Sequence, residues 1–486
     1  MVSVTDYVNI ILKHGIYYME NTYSQTIAAI STPYGMGGIA VIRISGDDTR
    51  DILRKIFSPS GKSSPTERPR YSVFGSIRDL SGNTIDEGIS VFYKSPSSFT
   101  GEDMAEISCH GGILVTRRVL EAVLSAGAAA AGPGEFTRRA FLNGKLSLSE
   151  AEAVGLLLQA DTDSRMKLAS SGARGVLSEK LSSIADRVSA ALSALFALID
   201  YPEEDLEDVE KDSLASELLK AALDAEALSG TFRTGRAVAE GVKTLICGKP
   251  NAGKSSLYNA LTGERRAIVT SVPGTTRDVL EDTVDAGGVT LRLWDTAGIR
   301  KSGDEVESIG IARALGKMEE AELILAVYDS STPLDPEDYQ LMDELDHRCT
   351  GRDVITIGII NKTDAKIRLN EAERAIIREK HNKTVSLSAA SGDGIDDLRQ
   401  KIGELYGLGK ITVGCDAVIW DASRKAELDK AADLLRLAAE SLLAGEPEDA
   451  ACTTAELALA ALRRTDGRGV SEEIVNGIFS RFCVGK

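Results

Sequence analysis

The feature that most constrains this chain is a glycine-rich turn between a strand pattern and a helix pattern. Residues 248–255 read GKPNAGKS, which fits G-x-x-x-x-G-K-S. The apolar run 244–247 before the turn predicts a buried strand, and residues 256–261 after it have helical character. In such a turn, backbone N–H groups and the helix N-terminus bind phosphate, Lys254 reaches the outer phosphates and Ser255 can hold Mg²⁺. A glycine turn without a ligand would show the same local pattern, so the interpretation depends on the rest of the chain.

A second element and the segment before it supply the groups that a P-loop GTPase uses around Mg²⁺ and the γ-phosphate. The strand pattern 291–294 runs into D-x-x-G, where Asp295 can hold Mg²⁺ through water and the Gly298 N–H can sense a γ-phosphate. Before this strand lies the polar segment 267–278, in which Thr276 is the natural second hydroxyl ligand of Mg²⁺. The alternative is that this segment is a plain polar loop. The position of the segment between the glycine-rich turn and D-x-x-G disfavours that alternative.

Two further elements predict guanine selectivity. The strand pattern 354–360 runs into N-K-T-D, and the Asp364 carboxylate can accept both N–H donors on the guanine edge, a pair that adenine lacks. The segment 385–390 can then close over the base. Because the elements occur in the order of a P-loop GTPase, we assign a set of residues to nucleotide binding. The set comprises Asn251, Ala252, Gly253, Lys254, Ser255, Ser256, Thr270, Ser271, Val272, Pro273, Gly274, Thr275, Thr276, Asp295, Thr296, Ala297, Gly298, Asn361, Lys362, Asp364, Ser388, Ala389 and Ala390.

The residue that orients the attacking water does not follow from the usual pattern. Ras-type GTPases use a Gln directly after D-x-x-G. This chain has Ile299 there, which cannot polarise water. The nearest acidic cluster is 304–307, and spacing alone leaves a catalytic carboxylate and a solvated charged face equally open.

Composition narrows the class of protein. The chain has 486 residues, room for two to four domains, and a hydrophobic fraction of 43% that suits a globular chain with an ample core. Its net charge of −17 disfavours nucleic-acid binding by the chain alone, so any RNA would require a local basic patch or a partner. Six scattered cysteines without C-x-x-C predict a reducing compartment with neither zinc nor a disulfide framework. No apolar stretch approaches membrane-spanning length.

The N-terminal part divides into an extension and an α+β segment. Residues 1–24 are predicted to be an extension that is disordered or non-native. Their apolar run is too short for a signal sequence, and Met19 is an alternative start. Residues 25–145 alternate strand and helix patterns. Strands are predicted at 26–30, 38–45, 89–93 and 104–109, and a helix after the H-G-G that ends at Gly112.

Helical patterns flank the GTPase segment on both sides. Residues 146–240 are rich in Ala, Leu and Glu with helical periodicity, which an acidic, Pro-containing stretch at 200–205 interrupts. Residues 410–486 return to helical periodicity. The segment 241–409 is therefore predicted to be a GTPase domain inserted into a helical domain built from two separated stretches.

The C-terminus is predicted to be docked rather than frayed. Phe479 and Phe482 need burial, and we expect them to anchor the tail on the helical domain. Considered alone, Cys483 is either a small buried hydrophobe or a thiol with a chemical role.

Several motifs together resemble a known family. They are an early G-x-G-G strand pair, F-T-G-E-D, H-G-G, P-G-E-F, G-T-T-R-D in the GTPase segment and a terminal C-V-G-K. The set is similar to the MnmE (TrmE) family of tRNA-modifying GTPases and covers the chain from about residue 19. The departures are Val484 where Ile is usual, residues 34–36 in the first turn, and the extra N-terminal residues, which leave the start site open.

The resemblance implies an architecture and an activity. It implies an N-terminal α+β domain that binds tetrahydrofolate and dimerises, a discontinuous helical domain, and an inserted Ras-like P-loop GTPase domain. With a flavoprotein partner, MnmG (GidA), in a heterotetramer, such proteins add an aminomethyl or carboxymethylaminomethyl group at C5 of the wobble uridine of certain tRNAs. The one-carbon unit comes from 5,10-methylenetetrahydrofolate, of which 5-formyltetrahydrofolate is an analogue. The tRNA would be bound largely through the partner, in the cytoplasm.

The resemblance also implies folate-site residues. By position, Arg43, Glu106 and Lys145 match folate-binding residues, and Lys486 matches a residue that reaches the same pocket. Arg and Lys can pair with glutamyl carboxylates, and Glu106 can accept from pterin N–H donors. Cys483 matches the family's terminal cysteine, and the dimer is expected to bring it close to the folate pocket.

For hydrolysis, the resemblance implies K⁺ in the place of an arginine finger. Asn251 matches the side-chain ligand of K⁺, and Thr270, Val272 and Thr275 lie in the matching loop. Glu307 matches the family's catalytic glutamate, which is proposed to orient water, and Arg277 is expected to support the switch.

The sequence is thus interpreted as a K⁺-stimulated GTP hydrolase coupled to tRNA modification. The alternative is a regulatory switch or ribosome-assembly GTPase without one-carbon chemistry. Binding of a reduced folate to residues 20–145 would favour the first.

Overall fold

A computed structural model describes residues 25–200, 211–263, 281–294, 318–467, 472–480 and 482–485. The chain divides into two compact units: Met1–Gly155 with Asp466–Lys486 (unit 1), and Leu156–Thr465 (unit 2). The C-terminal residues thus belong to the N-terminal unit. The boundaries predicted at residues 145, 240 and 409 rest on sequence patterns, whereas the two units are defined by contacts in the structure. These boundaries stay predictions.

Both units contain strands and helices. The strands are β1 (Ile27–Ile30), β2 (Ile39–Ser45), β3 (Phe57–Pro59), β4 (Val73–Arg78), β5 (Thr84–Tyr93), β6 (Met104–His110), β7 (Ala129–Ala130), β8 (Val242–Cys247), β9 (Glu281–Ala286), β10 (Val289–Trp294), β11 (Leu323–Asp329), β12 (Ile355–Asn361) and β13 (Lys383–Ser386). The helices are α1 (Thr49–Ile56), α2 (Ile113–Ser125), α3 (Glu135–Leu142), α4 (Leu148–Leu158), α5 (Asp163–Ala173), α6 (Val176–Asp200), α7 (Lys211–Ser229), α8 (Phe232–Ala239), α9 (Lys254–Thr262), α10 (Pro336–Cys349), α11 (Glu371–Lys380), α12 (Ile395–Leu405), α13 (Ala422–Leu443), α14 (Glu448–Thr465) and α15 (Glu472–Phe479).

Unit 1 is built on a sheet whose described strands run in the order β3-β4-β5-β6-β2-β1-β7. Neighbouring strands are antiparallel, except that β1 and β7 are parallel. The predicted strands in the N-terminal part are confirmed as β1, β2, the second half of β5, and β6. Successive side chains of a strand point to opposite faces, so Ile42, Ile44 and Ile107 are buried in the core with α1 and α2. The alternate residues Arg43 and Glu106 lie opposite each other across β2 and β6.

Unit 2 contains a helical core formed by chain segments on both sides of the second sheet. Residues of α6 and α7 share this core with residues of α13 and α14. Many contacts between these helices are made by alanines such as Ala221, Ala432 and Ala458, which are fully or almost fully buried. Small side chains let helix axes approach closely. The helical periodicity predicted on both sides of the GTPase segment is confirmed.

Helix α6 departs from one expectation. It is 25 residues long and apolar enough, by length and composition alone, to cross a membrane, whereas no such stretch was predicted. Its side chains Leu181, Ile184 and Val188 are buried in the core shared with α7, α13 and α14. Since the core helix of a protein passes the same test, this helix is weak evidence for a membrane span.

The second sheet of unit 2 positions the predicted nucleotide motifs. Its described strands run in the order β13-β12-β11-β8-β10-β9 and are parallel, except for the antiparallel pair β9 and β10. The strands β8, β11 and β12 are almost entirely buried and apolar, as is typical of parallel strands covered on both faces. Because these strands are parallel, the residues after Cys247, Asp329 and Asn361 meet at one edge of the sheet.

A buried histidine contacts the strand β11 of this sheet. The Oη of Tyr328, on β11, lies 2.9 Å from Nε2 of His381, which follows α11. His381 is 7% exposed, and its Nδ1 has no hydrogen-bond partner among the described residues. Burial disfavours the imidazolium and lowers the pKa of His381 to about 4.

This pKa predicts acid sensitivity. An unfolded histidine titrates near pH 6.5, so between about pH 6.5 and 4 the unfolded chain binds a proton that the folded chain does not, and stability falls as the pH falls. Between pH 7.5 and 5.5 the loss due to His381 should be about 1 kcal/mol. Thermal unfolding midpoints should therefore fall less steeply with acid in His381→Gln than in the wild type. His347→Gln, at an exposed position on α10, is the control, and an equal slope in all three proteins would contradict the prediction.

Candidate functional site

The glycine-rich turn adopts the backbone that its sequence predicts. It joins β8 to α9, which begins at Lys254. Asn251 has φ 60° and Gly253 has φ 101°, both in the left-handed region. A Cβ on Gly253 would lie 2.1 Å from Nδ2 of Asn361. Glycine is therefore required here, because the turn passes directly over the end of β12.

Lys254 folds back over the turn. Its Nζ donates to the carbonyl oxygens of Gly248 and Lys249, each at 2.8 Å. Burial lowers the pKa of the Lys254 ammonium, because it disfavours the charged form. A negatively charged phosphate oxygen would bind this ammonium more strongly than the two neutral carbonyl oxygens do. Ser255 and Ser256 lie in the first turn of α9, with Ser255 partly exposed and Ser256 exposed. The predicted phosphate-binding groups are thus brought together at the N-terminus of α9.

A single side chain joins three of the predicted motifs. Asn361, the last residue of β12, is 2% exposed. Its Nδ2 donates to the Ala252 carbonyl at 2.9 Å, and its Oδ1 accepts from the Ala389 N–H at 2.9 Å. The glycine-rich turn, the N-K-T-D segment and the segment predicted to close over the base therefore share one edge of the sheet.

The N-K-T-D segment has a second support, which sequence reasoning missed. Lys362 has φ 63°, and its Nζ lies 2.6 Å from Oδ2 of Asp329 at the end of β11. Burial raises the pKa of Asp329, but hydrogen bonds from Lys362 and Ser331 outweigh it and hold this pKa below its usual range. The Ser330 hydroxyl also donates to the Lys362 carbonyl at 3.0 Å. The sequence signal that could have indicated this ion pair is Asp329, a single acidic residue at the end of the apolar run that forms β11.

The remaining residues predicted to bind the base lie on two loops that follow β12 and β13. Asp364 is exposed beyond the left-handed turn at Lys362. Ser388 is buried and Ala390 is exposed on the adjoining loop. The other predicted nucleotide, K⁺ and catalytic residues lie outside the described residues and stay predictions. They are Thr270, Ser271, Val272, Pro273, Gly274, Thr275, Thr276, Arg277, Asp295, Thr296, Ala297, Gly298 and Glu307, and the same holds for Lys486.

In unit 1, the predicted folate residues lie on one face of the first sheet and on a loop beside it. Arg43 Nη2 lies 2.7 Å from Oε1 of Glu106, and Tyr93 donates to Oε2 of Glu106 at 3.3 Å. The Arg43 guanidinium also lies over the rings of Phe99 and Phe136, at 5.7 and 5.8 Å from their centroids. This ion pair is thus oriented by aromatic side chains.

Lys145 and a second arginine contact the loop that carries Phe99. Lys145 Nζ donates at 3.1 Å to the carbonyl of Pro96, in the loop that also carries Phe99. Arg139, which is 6% exposed, pairs with Glu102 at 3.2 Å and with Glu135 at 3.0 Å. Sequence reasoning missed Arg139, although it lies next to the P-G-E-F motif.

The C-terminal tail docks in unit 1. Phe479 is buried, with its ring centroid 6.3 Å from that of Phe141 on α3 and 5.4 Å from that of Phe482. The Phe482 ring lies close against Gly155 on α4. The prediction that the tail is docked is confirmed. Phe482 contacts α4, which lies in the segment 146–240 predicted to belong to the helical domain, and Phe479 also contacts α3, which lies before that segment.

The last described residues extend the tail to the edge of the first sheet. Val484 forms an antiparallel bridge with Pro133, and Gly134 N–H donates to the Cys483 carbonyl at 3.3 Å. Val484 packs in a small cluster with Phe99 and Phe136, the rings that lie under Arg43. Cys483 is an exposed thiol, so the interpretation of it as a small buried hydrophobe is wrong. The tail reaches the Arg43 site within its own chain.

The chain is similar to known proteins over nearly its whole length. Residues 26–145 match a family model described as GTP-binding protein TrmE N-terminus, and residues 148–483 match one described as MnmE helical domain. A protein of Geobacter sulfurreducens named tRNA modification GTPase MnmE is 41% identical over 477 residues, which cover 96% of this chain and 100% of the relative. Proteins of the same name from Clostridioides difficile and Symbiobacterium thermophilum are 39% and 40% identical, and each alignment covers 95% of this chain and 99% of the relative.

Tail docking predicts a specific sensitivity at Gly485. A Cβ on this residue would lie 2.2 Å from the Ile30 carbonyl, and its φ of 93° is unfavourable for other residues. In Gly485→Ala, backbone amides of the tail should exchange hydrogen markedly faster than in the wild type, as measured by mass spectrometry. Gly477→Ala is the matched control, because a Cβ there meets nothing within 4 Å. Equal exchange in the two variants would show that the tail is not held by this contact.

Proposed function

Because the chain belongs to the MnmE (TrmE) family, we propose that it hydrolyses GTP in the course of modifying tRNA. The observation that carries this proposal is the Asn361 bridge, which joins the glycine-rich turn, the N-K-T-D segment and the Ser388–Ala390 loop at one edge of a parallel sheet. Phosphate groups would bind at the turn, and the guanine base would bind beyond Lys362, where the exposed Asp364 carboxylate is available.

The proposed architecture is an inserted Ras-like GTPase domain. Residues 241–409 form this domain, and residues 146–240 and 410–486 form the helical domain around it. The shared core of α6, α7, α13 and α14 supports this division, because it is built from both flanking segments. Residues 25–145 form the N-terminal α+β domain.

The proposal assigns ligands to two metal ions, Mg²⁺ and K⁺. Ser255 and Thr276 would hold Mg²⁺, with Asp295 acting through water, and the ion would neutralise developing charge on the phosphates. The exposed Asn251, held in the left-handed region, would give its side-chain oxygen to K⁺. Carbonyls of Thr270, Val272 and Thr275 would complete that site. Because Ile299 cannot orient the attacking water, Glu307 would do so, and Arg277 would support the switch.

The cation proposal predicts a salt dependence. GTP hydrolysis should be at least tenfold faster in K⁺ than in Na⁺, because K⁺ replaces the positive charge of an arginine finger. Asn251→Ala should remove the difference between the salts. Glu307→Ala should instead lower kcat in both salts and leave nucleotide affinity near that of the wild type. Equal wild-type rates in K⁺ and Na⁺, at matched ionic strength, would rule out the cation site.

The tRNA chemistry is proposed for the N-terminal domain. A 5,10-methylenetetrahydrofolate would bind near Arg43, Glu106 and Lys145, with Lys486 close by, and supply a one-carbon unit for C5 of the wobble uridine. Glu106 keeps acceptor capacity for a pterin, because among the described residues its Oε2 receives only a long 3.3 Å bond from Tyr93. The exposed Cys483 thiol lies on the tail that contacts this region, and it would act in, or shape, the one-carbon transfer.

Partners complete the proposal. Homodimerisation through the N-terminal domain and a heterotetramer with the flavoprotein MnmG (GidA) are proposed, in the cytoplasm. The net charge of −17 favours tRNA binding largely through that partner.

Analysis of wobble uridines tests the function. In a strain that lacks this gene, mass spectrometry of tRNA should show loss of the C5 group, and the wild-type gene should restore it. Arg43→Gln should fail to restore it while the purified protein still hydrolyses GTP, because Arg43 lies in the folate site and not in the GTPase domain. The control is Arg54→Gln, an exposed residue on α1. Unchanged wobble uridines in the deletion strain would support the alternative, a regulatory or ribosome-assembly GTPase.

A further inference from the structure

Lys249, the second residue of the glycine-rich turn, makes contacts that the nucleotide motif does not require. Its side chain is 11% exposed and turns away from the phosphate-binding groups toward α10. Its Nζ lies 2.7 Å from Oδ2 of Asp335 and 2.7 Å from Oδ2 of Asp338. The turn is therefore joined to a helix that contributes no residue to the predicted nucleotide site.

The two carboxylates are themselves fixed by helix capping. Asp335 is the N-cap of α10 and accepts from the N–H groups of Glu337 and Asp338, while Asp338 accepts from the Asp335 N–H. Asp338 is 2% exposed, and its Oδ1 has no hydrogen-bond partner among the described residues. Two neighbouring carboxylates, one of them buried, require a compensating cation, and Lys249 supplies it.

Lys249 remains charged in this setting. Burial opposes the charge, but the hydrogen bonds to Asp335 and Asp338 outweigh it and raise the pKa of the Lys249 ammonium. The bond from Lys249 likewise holds the pKa of Asp335 below its usual range. The link is therefore charge-assisted at neutral pH.

The main chain of the same residue contacts the phosphate-binding lysine. The Lys249 carbonyl and the Gly248 carbonyl are the two acceptors of Lys254 Nζ. Gly248 is also packed against β11, since a Cβ there would lie 2.5 Å from the Val327 carbonyl. One residue thus has its side chain fixed to α10 and its carbonyl fixed to Lys254.

We propose that Lys249 is a positioning residue for GTP binding, and this inference rests on the proposed function. Its link to α10 holds the first half of the turn in the shape that phosphate requires, so that little ordering remains when the nucleotide binds. Without the link, nucleotide binding must also order the turn, which weakens affinity. Once phosphate is bound the turn is held by its own N–H groups, so the chemical step is little changed.

The test is nucleotide binding by Lys249→Met in the full-length protein. Titration with a fluorescent GDP analogue should give a Kd at least tenfold higher than that of the wild type, and KM for GTP should rise similarly. At saturating GTP, kcat should stay within about twofold. Lys249→Arg should recover most of the affinity. The matched control is Lys243→Met, because Lys243 also lies on the β8 side of the turn but pairs with groups outside α10: its Nζ lies 3.8 Å from Glu320 and 5.9 Å from the centroid of the Trp294 ring.

A second variant separates positioning from folding. Asp335→Asn keeps a good N-cap but weakens the acceptor of Lys249, so it should raise Kd by a smaller factor than Lys249→Met. The double variant should bind no more weakly than Lys249→Met alone, as expected for one shared link. Wild-type nucleotide affinity in both single variants, even with a lowered unfolding midpoint, would reduce Lys249 to a structural tie and overturn the inference. A wild-type protein that binds no guanine nucleotide would overturn the proposed function itself.

Discussion

The nucleotide site depends on one buried carboxamide, that of Asn361. A carboxamide carries a donor and an acceptor on the same planar group, and here these serve the Ala252 carbonyl and the Ala389 N–H. A carboxylate could accept but not donate, and an apolar side chain would leave two buried backbone groups unpaired, at about 1–3 kcal/mol each. The bridge has room only because Gly253 has no Cβ. Segments 109 residues apart in the chain are thereby held within hydrogen-bond distance.

The parallel sheet makes this bridge possible, and other pairs at the same edge support it. The ends of β8, β11 and β12 lie side by side because these strands are parallel neighbours. Lys362 adopts φ 63°, a conformation that costs a non-glycine residue about 1–3 kcal/mol. The ion pair with Asp329 and the hydrogen bond from Ser330 to the Lys362 carbonyl offset that cost. The turn proposed to bind the base is therefore held by β11 as well as by β12.

The sequence predicts those parts of the fold and of the site whose signals are local. Apolar runs such as 244–247 and 354–360 predicted β8 and β12, and the glycine-rich turn predicted the start of α9. It does not predict contacts that depend on which distant residues meet. The burial of Phe479 and Phe482 followed from hydrophobicity, whereas their partners on α3 and α4 have no signal in the tail itself. Likewise, the exposure of Cys483, next to the bridge between Val484 and Pro133, depends on where the tail docks.

Both sites are built around partly buried ion pairs, and stability alone does not account for them. An exposed pair contributes about 0–1 kcal/mol, and a buried pair often contributes no more than apolar residues of the same shape. Yet Arg43 is paired with Glu106 above two aromatic rings, and Lys249 is paired with Asp338, which is 2% exposed. Apolar side chains could replace Arg43 and Glu106 at little cost in stability, but they could not fix the direction of a guanidinium, and apolar side chains at Asp335 and Asp338 could neither cap α10 nor hold the turn through Lys249. Because each pair orients a group that faces a proposed ligand, positioning explains these charges better than stabilisation does.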